Sequence, residues 1–157
     1  LYEKLDKGTL DFALIFTHTV PAKYKMIQLP RKDQWGVLVP KNHPLTKLEQ
    51  ISVEEIVSYP LIVSNQSDID KSAFANYDYK VVATYNLLYS ASRLVQAGLG
   101  IALCLDGIVD HPELVFLPST NQGDEGFYLI WKDSHDQTAT EKAFLEEIEA
   151  QLYEMEN

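Results

Sequence analysis

Few side chains in this 157-residue chain have types and spacing that could do chemistry. The single cysteine, Cys104, sits inside the apolar run IALCL at 101–105. A thiol flanked this way packs as a small hydrophobe and is a poor nucleophile. One cysteine also excludes an intrachain disulfide, in keeping with a reducing compartment. The histidines His18, His43, His111 and His135 each lack a second His or Cys at ligand spacing, so no metal site is expected. No serine lies in a G-x-S-x-G turn. Glu54-Glu55 is better explained by a helix start than by acid–base work, and Glu146-Glu147 by a solvated helix face. The glycines of "GLG" at 98–100 lack the spacing and the lysine of a phosphate loop. The expectation is therefore a chain that is not an enzyme and uses no cofactor.

What remains is hydrogen-bonding chemistry at strand and helix ends. Ser64, Asn65 and Gln66 follow an apolar strand, and ligands of open α/β sheets gather at the carboxyl ends of strands. Thr17 and His18 follow another. Thr84, Tyr85 and Asn86 precede a helix whose first amides attract carboxylates. Each has a plainer alternative. Polar loops are solvated as a rule, a lone histidine is more often a surface residue than a catalyst, and every helix has an N-terminus.

Charge narrows the partners. The formal net charge is −10, which disfavours phosphate backbones, and the densest basic segment, Lys23, Lys25, Arg31 and Lys32, is diluted by apolar residues. With 46% apolar and 23% charged residues the chain has a globular composition. No apolar run approaches the roughly 20 residues of a membrane-spanning helix.

These groups must be held by a scaffold, and hydrophobic period and punctuation predict one. Residues 1–7 read as helical turns ended by Gly8. Strands are predicted at 10–16, 24–29, 35–40, 61–63, 80–84, 101–105, 114–117 and 127–131. Ser52-Val53-Glu54-Glu55 is a capping box opening a helix over 53–58, and Thr138-Ala139-Thr140-Glu141 opens the last helix, with Phe144, Leu145, Ile148, Leu152 and Tyr153 on one face. Between them, Asn86 is positioned to cap a helix carrying Leu87, Leu88, Ala91, Leu94 and Val95 on its inner face, with Gly98 as a left-handed stop. Alternating strands and helices predict an α/β fold with largely parallel sheets.

Several segments, in order, resemble one family. "LDKGTLDFALI" (5–15), "WGVLVPKNHPL" (35–45), "SVEEIVSYPLIV" (52–63) and "SRLVQAGLGIALCL" (92–105) are similar to successive segments of the effector-binding domain of LysR-type transcriptional regulators. The last is the most recognisable. This chain departs from the family at Leu105-Asp106, where a proline is frequent.

The resemblance implies a two-lobed fold like type 2 periplasmic binding proteins, with mixed sheets flanked by helices and a cleft between the lobes. Residues 1–35 and 118–157 would form lobe I, residues 36–117 lobe II, and crossovers would lie near 31–34 and 118–123. It further implies a cytoplasmic sensor for an anionic metabolite, a homodimer or homotetramer. DNA would be reached only through an N-terminal helix-turn-helix outside these residues. The effector would meet Thr17 and His18 in lobe I and Ser64, Asn65, Gln66, Thr84, Tyr85 and Asn86 in lobe II. The same fold would also serve a solute-binding receptor or, less simply, an enzyme.

Overall fold

The apolar runs of the middle of the chain show no period-2 alternation, and a sheet covered on both faces accounts for this. A computed structural model describes residues 1–30, 33–123, 125–133 and 136–156. His135, and Arg31 and Lys32 of the expected crossover, lie outside the described residues. The chain divides into two units, Leu1–Lys32 with Asp124–Asn157, and Asp33–Gly123.

The second unit holds five strands: β3 (Trp35–Pro40), β4 (Leu61–Ser64), β5 (Val81–Tyr85), β6 (Ile101–Leu105) and β7 (Leu114–Pro118), in the order β5-β4-β6-β3-β7. Its two faces carry separate cores. Val37, Val39, Leu61, Val63, Ile101 and Leu117 pack on one side with Leu45, Ile51 and Ile56. Leu38, Ile62, Ala102 and Cys104 pack on the other against Ala91 and Val95 of α3 (Leu88–Gln96). Neighbouring residues thus bury in opposite directions, each fully buried aliphatic side chain contributing about 1.5–3 kcal/mol. Short α2 (Val53–Ile56) begins at the predicted capping box, where the Ser52 N–H donates to Glu55 Oε2 at 2.7 Å.

The first unit is a three-stranded sheet in the order β1-β8-β2, built from β1 (Phe12–Thr17), β2 (Tyr24–Gln28) and β8 (Gly126–Lys132). Leu5 of α1 (Tyr2–Asp6) packs with Ala13, Ile15, Tyr24 and Ile130 on one face. Lys23 and Tyr24 both donate to the Asp6 carboxylate, at 2.6 and 2.9 Å. The final helix α4 (Ala139–Glu156) opens at the predicted second capping box: the Thr138 N–H donates to Glu141 Oε2 at 2.6 Å and the Glu141 N–H to Thr138 Oγ1 at 3.2 Å. Phe144 stands 4.9 Å from the Phe12 ring, yet no described side chain of α4 is fully buried.

Two expectations are corrected. The sheets are not largely parallel: β8 runs antiparallel to β1 and β2, and β3 antiparallel to β6 and β7, leaving only β4 parallel to β5 and β6. Helix-linked crossovers suit parallel strands: β5–α3–β6 carries the chain from one side of β4 to the other, so β4, β5 and β6 all run the same way. Nor does Asn86 cap α3. The N-cap position is Leu87, without a side-chain cap, and Leu87 is 65% exposed instead of lying on the inner face.

The end of α3 is as predicted. Gly98 has φ +78°; its N–H donates to the Val95 carbonyl at 3.0 Å and the Leu99 N–H to the Leu94 carbonyl at 3.1 Å, a Schellman closure. Gly100 has another role. A Cβ there would fall on the Pro60 carbonyl, which accepts the Ile101 N–H at 2.9 Å. Gly100 lets β6 lie against the chain entering β4.

Candidate functional site

Parallel pairing of β4 and β5 ends both strands at the same edge. Ser64 is in register with Tyr85 and Val63 with Thr84. The Asn65 N–H extends the ladder by donating to the Tyr85 carbonyl at 2.8 Å. Residues 64–66 and 84–86 are therefore brought together at the carboxyl ends of two strands, with α3 starting directly after. Ser64 is half-buried, and Asn65, Gln66, Thr84 and Asn86 are exposed. The Ser64 hydroxyl accepts the Gln66 N–H at 3.2 Å, which folds the loop back over the strand end.

Tyr85 is occupied differently. Its hydroxyl donates to the Leu103 carbonyl at 2.7 Å, and its ring packs with Leu88, Ala91 and Cys104 beneath α3. Burial raises this phenol well above its ordinary pKa. The side chain ties β5 to β6, while the Tyr85 backbone holds Asn65.

The cluster is electrically neutral. Ser64, Asn65, Gln66, Thr84 and Asn86 carry hydroxyls and carboxamides, and Lys71, on the loop that follows, is paired with Asp68 at 2.8 Å. Such a set offers hydrogen bonds with no full counter-charge.

Thr17 and His18 belong to the first unit. Thr17 ends β1, opposite Gly126, and its hydroxyl donates to the Thr19 carbonyl at 3.2 Å. His18 Nε2 lies 3.2 Å from Glu125 Oε1, with the ring more than half exposed.

Cys104 is 3% exposed, and burial pushes its thiol up to about 12. His43 accepts the Leu45 N–H on Nδ1 at 3.2 Å and packs edge-on to Tyr59. Among the described residues no group of three His, Cys, Asp or Glu could hold a metal ion. No described helix is long and apolar enough to cross a membrane.

One arrangement had no signal in the sequence. The Gln122 carboxamide accepts the Trp35 N–H at 2.8 Å and donates to the Trp35 carbonyl at 3.0 Å, with Ser119 O as a further acceptor. A glutamine in a polar loop has nothing local to mark such a role.

The sequence matches the family described as "LysR substrate binding domain" over residues 1–152. The chain belongs to that family. Solved structures agree on the fold. A LysR family transcriptional regulator from Pseudomonas aeruginosa superposes with TM-score 0.74 at 17% identity, over 97% of this chain and 56% of that one. The effector-binding domain of QuiR in complex with shikimate gives 0.75 at 22% identity, over 92% and 73%. The BenM effector-binding domain with benzoate gives 0.67 at 18%, over 87% and 67%. The chain thus spans little more than half of that Pseudomonas regulator. Its two sheets flanked by helices are the type 2 periplasmic-binding-protein-like arrangement of these LysR domains. No curated protein sequence matches it significantly.

Proposed function

We propose that this domain senses a small organic anion and conveys its presence to a DNA-binding helix-turn-helix elsewhere in the same cytoplasmic regulator, assembled as a homodimer or homotetramer. The effector lies between lobe I, the unit Leu1–Lys32 with Asp124–Asn157, and lobe II, the unit Asp33–Gly123. It meets the polar strand ends of lobe II, with Ser64, Asn65, Gln66, Thr84 and Asn86 donating and Tyr85 holding the loop through its backbone. Thr17 and His18 complete the site from lobe I. The observation that carries this reading is the convergence of residues 64–66 and 84–86 at the carboxyl ends of parallel β4 and β5. Differential affinity for two arrangements of the lobes then shifts their population and the oligomer with them.

Shikimate and benzoate, held by two domains of the same fold, head the panel for a thermal-shift screen of small carboxylates, since a ligand that binds the native state raises the melting point. Calorimetry on the best binder then compares the parent with Ser64→Ala plus Asn86→Ala. Losing two hydrogen bonds of about 1 kcal/mol each lowers affinity roughly tenfold or more. Unchanged affinity would sink the site assignment.

A further inference from the structure

The chain passes between the two units immediately before Asp33 and immediately after Gly123. The hydrogen-bonded structure of the second unit sets where each crossing begins. On the β7 side it does not stop at Pro118. The Ile51 N–H donates to the Pro118 carbonyl at 3.1 Å, and the Thr120 N–H to the Ile51 carbonyl at 2.8 Å. The Ser119 N–H donates to the Trp35 carbonyl at 2.8 Å, and Ser119 is 6% exposed. The Asn121 N–H donates to Ser119 Oγ at 3.2 Å.

Gln122 then closes the series. Its carboxamide imitates a strand neighbour, accepting from the N–H and donating to the carbonyl of the same residue, Trp35. The Trp35 carbonyl thereby receives two donors, Ser119 N–H and Gln122 Nε2, which fills both lone pairs. Trp35 is the first residue of β3, on the other crossing. A neighbouring bond, Asp106 N–H to the Gln34 carbonyl at 2.9 Å, holds that end too.

We propose that Gln122 is a clasp that binds the two interunit crossings to each other at the second unit. It holds residues 119–122 and the start of β3 together as part of the second unit. Without it, residues 121–122 lose their tie to the start of β3 and the crossing after Gly123 lengthens, while the Ser119, Thr120 and Asp106 N–H groups still hold their own carbonyls. Gln122 is a positioning residue: it sets the range of interunit motion and touches no ligand. The idea rests on the two-unit division alone and stands or falls separately from the effector site.

The test compares the 157-residue chain with its Gln122→Ala and Gln122→Glu variants. Glutamate keeps the acceptor for the Trp35 N–H and loses the donor to its carbonyl. Hydrogen exchange at the Trp35 amide reads the local contact, and an opening favoured by loss of one such bond exchanges about five- to tenfold faster in Gln122→Ala. Spin labels on cysteines introduced at exposed Lys47 and Lys142 read the interunit distance distribution, Cys104 being buried and unreactive. The expected result is a broader distribution in Gln122→Ala and an intermediate one in Gln122→Glu. A distribution as narrow as that of the parent chain in both variants overturns the proposal, even if the amide exchanges faster. Where Gln122→Ala lacks the parent's circular dichroism, Gln122→Glu alone decides by the same criterion.

Discussion

The two glycines of the α3–β6 joint respond to the same substitution for different reasons, and the difference can be measured. At Gly98 an alanine Cβ meets nothing within 4 Å, so the cost is conformational. Holding an L-residue in the left-handed region costs roughly 1–2 kcal/mol. The unfolded chain loses entropy when glycine becomes alanine, which returns about 0.4–1 kcal/mol. Gly98→Ala therefore destabilises by about 1 kcal/mol. At Gly100 the φ is unexceptional, and the obstacle is the Pro60 carbonyl, a backbone group with no rotamer to yield. Making room costs about 1–3 kcal/mol by the usual penalty of overpacking. It also pulls on the Ile101 N–H to Pro60 bond and on the parallel pairing of Leu61 with Ile101, worth about another 1 kcal/mol. After the same entropic return, Gly100→Ala costs about 2–3 kcal/mol. Urea unfolding of both variants at one pH, with slopes equal to that of the parent, gives the two values. A Gly98→Ala loss equal to or larger than the Gly100→Ala loss would refute this division of roles, as would a Gly100→Ala variant within about 0.5 kcal/mol of the parent.

Two further outcomes follow from buried groups. Cys104, 3% exposed and with its thiol pushed up to about 12, should resist a disulfide reagent at mildly alkaline pH in the native chain and react stoichiometrically once denatured; native-state labelling at the unfolded rate would contradict its placement. His43 has its pKa lowered by burial, so folding favours the neutral ring. Its contribution to stability is complete above the unfolded-state value of about 6.5 and is lost as pH falls through the lower folded value, because protonating Nδ1 removes the acceptor of the Leu45 N–H. His43→Gln should flatten that acid-side slope in thermal melts recorded across the window, and an unchanged slope would locate the titration elsewhere.

Local order was largely legible in the residues. The β6 limits, 101–105, follow from an apolar run bounded by Gly100 and Asp106, and both capping boxes form because Ser/Thr and Glu three apart satisfy each other's amides locally. Strand partners were not. β8 inserts between β1 and β2, pairing Phe12 with Trp131, and no short-range pattern encodes a partner 119 residues away. The helix start was misplaced by one residue for a related reason. Asn86 has the better capping chemistry, but β5 continues through Tyr85, whose hydroxyl is drawn in to Leu103, and α3 begins only after the extended Leu87. Of the candidate site, the strand ends were readable as polar loops after apolar runs, while their adjacency came only with the parallel β4–β5 register.

A neutral cluster in a chain of net charge −10 constrains how the proposed sensor could work. Long-range attraction does not draw an anion toward hydroxyls and carboxamides, and the chain's own field opposes its approach. Affinity would then have to come from short hydrogen bonds whose donors are already in place, because each donor that must be ordered on binding subtracts about 0.5–1.5 kcal/mol. That demands a rigid platform. A sheet with cores on both faces, a loop latched by Asn65 to Tyr85, and a tyrosine locked to Leu103 supply it. In the proposed scheme motion then resides elsewhere, between the two units. Rigidity at the strand ends and freedom at the crossings are complementary requirements: a platform that flexed would blur recognition, and crossings that could not move would leave a bound ligand with nothing to shift.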